Sequence, residues 1–161
     1  MDLHVRQHER FTRREWRVER VGWVVMTAFV LSGVLGLLGP GPLSWTTAES
    51  SNGVVAVDYQ RVVHHEADEA LTLTFTPEAV QDQQVTLELT GDWLEGIELQ
   101  GISPAPSSEQ LTRDGAVLEW DVDQPGSLEV TVTYRPQRYA ALDADLAVRQ
   151  DRLTLSQLVL P

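Results

Sequence analysis

Two hydrophobic periods divide the chain. From Val21 to Gly39 there is no charged residue over 19 positions, and Thr27 and Ser32 are the only polar side chains besides the Trp23 indole. A buried helix of a globular core would show a polar face. At about 1.5 Å per residue, such a segment reaches roughly 28 Å, close to the hydrocarbon thickness of a bilayer. Trp16 and Trp23 stand near one end and Trp45 beyond the other, as amphipathic rings at membrane interfaces do. Pro40 and Pro42 follow, and neither can donate the next helical hydrogen bond. The pattern predicts one transmembrane α-helix over 21–39. Residues 8–20, without Gly or Pro, are expected to extend it towards the N-terminus.

Beyond a Pro-, Gly-, Ser- and Thr-rich stretch, read as a linker over 40–52, the period becomes two. Val55, Val57 and Tyr59 alternate with Ala56, Asp58 and Gln60; Leu71, Leu73 and Phe75 alternate with threonines. The same rhythm runs through Val85–Leu89, Ala116–Val122, Leu128–Tyr134, Leu142–Val148 and Leu153–Leu160. Alternation of this kind buries one face of each strand and wets the other, as in antiparallel sheets. Turn signals separate the runs: Thr76-Pro, Gly91-Asp, the Pro104–Pro106 segment, Asp114-Gly115, Gln124-Pro-Gly and Arg135-Pro. The expected fold is all-β, an antiparallel β-sandwich of immunoglobulin-like type over 53–161, with a small barrel as the alternative. Trp120, at an inward position, is expected in its core.

Charge orients this plan. Residues 1–20 hold six arginines against four carboxylates, net +2, whereas 21–161 hold six arginines against twenty carboxylates, net −14. The positive-inside rule puts 1–20 in the cytoplasm and the C-terminal domain outside, in the inner (plasma) membrane of the cell. A cleaved signal peptide is the competing reading. The twenty-residue basic lead and the long apolar stretch favour an uncleaved anchor. So acidic a domain is expected to repel nucleic acid and anionic lipid surfaces; the partners expected are the lipid bilayer around the span and another integral membrane protein. The absence of cysteine removes thiol catalysis, cysteine-ligated zinc and iron–sulfur chemistry.

Candidate chemistry is sparse. His64, His65 and Glu66, in the run that ends at Glu69, are the densest group of metal-ligand types. Adjacent histidines on a strand point to opposite faces, so the expectation is a polar loop and no bound metal. Asp121 with Asp123, and Asp143 with Asp145, would approach a calcium ion only from neighbouring strands. There is no nucleophile elbow, phosphate-cradling glycine loop or zinc helix, so no enzyme activity and no cofactor are expected. Trp93, in a turn, is either a loop anchor for a protein partner or a ring folded over the end of the sandwich. In the apolar helix Ala28, Ser32 and Gly36 recur every four residues, with Gly33 beside them. Such a side lets another helix approach closely.

The segments Arg14–Trp23 and Leu35–Ser44, with Tyr134-Arg-Pro136 and the apolar last strand, carry a resemblance. The chain resembles a group of small uncharacterised bacterial single-pass inner-membrane proteins with a β-sandwich ectodomain. The resemblance implies a membrane partner and brings no catalytic residues. The function expected is that of an extracytoplasmic interaction module assembling with another integral membrane protein or with a second copy. A ligand- or metal-binding ectodomain is the alternative.

Overall fold

The computed structural model describes residues 9–34, 44–123 and 126–161. The first element is the helix α1, Glu9–Val34, 26 residues long. It runs unbroken from the basic segment into the apolar one, as expected. Among the described residues no helix is long and apolar enough to cross a membrane. α1 carries residues 21–34 of the expected span, and residues 35–39 lie outside the described residues. From Trp16 onward its side chains are exposed, apart from a half-buried Ser32. Arg20 lies over the Trp16 ring, 3.7 Å from its centroid.

The rest is all-β, in two sheets. The first joins β1 (Trp45–Glu49), β2 (Val55–Gln60), β4 (Glu69–Phe75), β9 (Leu128–Pro136) and β6 (Ile97–Ser103), in the order β1-β2-β4-β9-β6. The second joins β3 (Val62–His64), β5 (Gln84–Thr90), β7 (Ser108–Leu111), β8 (Gly115–Asp121), β10 (Ala141–Val148) and β11 (Asp151–Leu160), in the order β3-β11-β10-β5-β8-β7. Neighbours are antiparallel except β3, which runs parallel to β11 at the edge.

Register follows the alternation read from the sequence. In the first sheet Leu71 faces Val132 and Leu73 faces Val130. In the second, Val85 faces Trp120, Leu87 faces Leu118 and Leu89 faces Ala116. These cross-strand pairs sit on one side of each sheet and are all buried. Between the sheets they pack into one apolar core, to which, among the described residues, none of α1 belongs. Trp120 is inside it as expected, its ring tilted against Phe75 at 5.9 Å and its Nε1 donating to the Pro104 carbonyl at 2.9 Å.

Four strands depart from the sequence reading, the shortest being β3, which takes in His64 from the expected polar loop. The expected linker 40–52 contains β1, which pairs with β2 from Trp45↔Gln60 to Glu49↔Ala56. It is an edge strand that buries none of its residues fully, so its period was too weak to register. β6 was hidden by a bulge. Leu99 pairs with Tyr134 and Gly101 with Thr133, leaving Gln100 extra. The added residue resets the alternation and keeps both Leu99 and Ile102 on the inward side. β7, just beyond the Pro104–Pro106 segment read as a turn, is exposed along its whole length.

The domain formed by residues 44–161 should fold without the helix, because the core draws nothing from α1. Expressed alone it should give a β-type circular-dichroism spectrum and one cooperative unfolding transition. In the same domain Trp120→Ala should cost about 3–5 kcal/mol in denaturant melts. A helical spectrum, or a Trp120→Ala variant as stable as the parent, would refute this assignment of the core.

Candidate ligand-binding cleft

The two sheets are not equally wide. The edge strands β6 and β7 face one another, and the inner side of β7 has little above it. Glu109 and Leu111 share a face with the buried Leu118 and Ala116 through their register, yet both are exposed, Leu111 to 79%. Between β6 and β7 the core opens into a cleft of about 410 Å³. That volume falls within the roughly 300–1,000 Å³ of small-molecule sites. Leu71, Leu73, Leu87, Leu89, Leu118 and Val132 form its depth; Leu99, Ile102 and Leu111 flank it; Glu95, Glu109, Arg113 and Asp114 supply its charges.

Two glycines shape the end of this cleft. A Cβ on Gly115 would fall 1.9 Å from the Leu89 carbonyl oxygen, so only glycine lets β8 start that close to β5. Gly91 leaves β5 with φ +109°, and a Cβ there would meet the Asp143 oxygen at 2.5 Å. The chain then makes the single helical turn α2, Trp93–Gly96, which folds back over the sandwich.

Of the two readings of Trp93, the structure has the ring folded over the sandwich. It is only 2% exposed, so it does not present an anchor to a protein partner; it forms part of the cleft wall. Its ring meets Tyr134 edge-on at 4.8 Å. Its Nε1 donates to Gln157 Oε1 at 2.6 Å. The buried Gln157 also accepts, through Oε1, a hydrogen bond from the Tyr134 hydroxyl at 3.0 Å. Its Nε2 donates to the Tyr134 oxygen at 2.6 Å and to the Gln60 carbonyl at 2.7 Å. Both ends of the amide are therefore satisfied, which makes a buried polar group tolerable. Burial pushes the Tyr134 phenol well above its ordinary pKa, so the ring stays neutral and the network keeps one hydrogen-bond pattern. The signal in the sequence was a glutamine at the inward register of Leu153, Leu155 and Val159.

The other expected site residues are not gathered. Among the described residues no group of three or more His, Asp or Glu could hold a metal ion. His64 closes β3. His65 stacks on Tyr139 at 4.2 Å, and its Nε2 donates to the Gln137 carbonyl at 3.2 Å, so that nitrogen carries a proton. Glu66 takes a left-handed turn, φ +58°. Asp121 and Asp143 lie on strands separated by β5. Asp143 and Asp145 accept from Ser156 and Thr154 across to β11, so the two pairs share no site. On α1, Ser32 spends its hydroxyl on the Phe29 carbonyl at 2.7 Å and Ala28 is exposed; Gly36 lies outside the described residues.

Compared with known proteins, the chain matches no family model, and no curated protein matches it.

Replacing Gln157 with Leu should strand the buried Trp93 N–H and Tyr134 hydroxyl at about 1–3 kcal/mol each. Melts of Gln157→Leu should show that loss, together with a shifted Trp93 fluorescence. An unchanged midpoint would mean the amide does not organise this end of the domain.

Proposed function

We propose that the chain is a membrane-anchored binding module whose β-sandwich, of immunoglobulin-like type, receives an apolar ligand in the cleft between β6 and β7. The observation that carries this reading is the cleft itself, a leucine-lined space continuous with the core and left open on one edge. Protein interiors are close-packed. A cleft of this size lined mainly by apolar side chains favours apolar guests. The polar groups sit where orientation and selectivity are usually set, among a mainly apolar lining. Binding rather than catalysis fits, since the cleft lining offers carboxylates, a guanidinium and a hydroxyl but no histidine.

The uncharged segment 21–39 and the six arginines before it support an inner-membrane anchor with the sandwich outside the cytoplasm. The immunoglobulin-like arrangement is supported by the change of sheets at Arg61, where the chain passes from β2 to β3 beside β11. A second reading, assembly with another integral membrane protein or a second copy through the helix, is favoured by the outward-facing side chains of α1, which the core leaves unpartnered.

The test is titration of the domain, residues 44–161, with N-phenylnaphthylamine, whose fluorescence rises in apolar surroundings. Saturable binding of one dye per domain is expected. Ala116→Phe, placed into the cleft from β8, should weaken it by about tenfold or more, equivalent to about 1.4 kcal/mol. It should fold, because filling space costs less than the about 1–3 kcal/mol of overpacking a filled core. Absence of saturable binding, or binding untouched by Ala116→Phe, would refute the cleft as a site.

A further inference from the structure

Strand direction identifies which end of the sandwich the cleft serves. β1 enters at Trp45, opposite Gln60. The Gln60 carbonyl is held by Gln157, which also holds Trp93 at the end of the cleft. The turns at 91–96 and 112–115, joined through the Thr90↔Gly115 pair, are therefore at the end where the chain arrives from α1. Ten residues separate Val34 from Trp45, which bounds the distance between them to about 40 Å.

The same end holds the sandwich's uncovered apolar surface. Outside α1, the large hydrophobic residues exposed among the described residues are Trp45, Leu99, Leu111, Tyr139 and Leu158. Trp45 opens β1 and Tyr139 lies in the turn after β9. Leu158 pairs with Val62 and Ala141, at the start of β3 and β10. Leu99 pairs with Tyr134 near the end of β9, and Leu111 closes β7. The opposite end, with the turns at 50–54, 76–83 and 149–150, exposes none of them. Rings with one polar edge, set among leucines and the nearby Arg61 and Arg138, are the composition of a membrane interface.

We propose that this end rests on the bilayer and that the cleft takes one acyl chain of a zwitterionic phospholipid. The inference rests on the membrane-anchored binding reading above and names its ligand. An acyl chain needs an apolar lining without buried hydrogen-bonding groups, and the leucines supply it. Its headgroup stays at the charged residues, where Glu95, Glu109 and Asp114 outnumber Arg113. That balance, on a domain this acidic, disfavours an anionic headgroup.

The test uses the full chain in vesicles of phosphatidylcholine whose acyl chains carry a diazirine. After irradiation, mass spectrometry of the peptides should find label on α1 and also on β5, β7 and β8. The double variant Leu99→Glu, Leu111→Glu changes two exposed residues and should spare the fold. It should cut label on the strands at least fivefold while α1 label stays unchanged. Replacing half of the lipid with phosphatidylglycerol should lower strand label. Label confined to α1 would overturn the proposal, as would strand label indifferent to the double variant. If N-phenylnaphthylamine still binds the domain while the vesicle label stays on α1, the cleft binds another apolar ligand and only this inference fails.

Discussion

Two sheets packed face to face bury one another only where both have a strand, and in this domain six strands face five. Sheets stack about 10 Å apart, a gap that inward side chains must fill from both sides. At the β7 edge Leu111, on the inward face, stays exposed and the apolar interior reaches the surface. The cleft, its leucine lining and its exposed mouth follow from that mismatch. At the opposite side the chain crosses from β2 in the first sheet to β3, which forms the edge of the second beside β11, while β1 forms the edge of the first.

The end of the sandwich near β1 is fixed by a single amide. Gln157 ties β11 to Trp93 on α2, to Tyr134 on β9 and to the backbone of β2. Hydrophobic contacts alone would let α2 lie over the core in several ways. A satisfied polar hub selects one of them, since any other leaves buried donors unpaired. Trp93 is thereby fixed as cleft wall, at the end of the sandwich where β1 begins.

Much of this fold is legible in the sequence because burial imposes a period of two. The runs beginning at Val55, Leu71, Val85, Ala116, Leu128, Leu142 and Leu153 all became strands with the expected faces inward. What escaped lies at the edges. β1 and β7 bury too little to show a period, and Gln100 breaks that of β6. The cleft is built largely from those edges, so the reading that found the core missed its opening. His64 and His65 drew attention as potential ligands, yet their neighbours in space are Leu160, Tyr139 and Gln137. The glutamine among leucines in the last strand was the better signal, because a polar side chain at an inward register must have a buried partner. The proposed membrane anchor rests on composition, on the uncharged 21–39 and the arginines before it.

The central claim is that the gap beside β7 is a real apolar space in solution and not a region that the sheets close over. Xenon enters dry apolar cavities and shifts the resonances of the methyl groups that line them. In methyl-labelled domain, residues 44–161, under xenon pressure, the Leu87, Leu89 and Leu118 methyls should shift in a saturable way. Those of Val57 and Val63, buried in the core away from the cleft, should not. No xenon-dependent shift at the three leucines, or equal shifts throughout the core, would contradict the account.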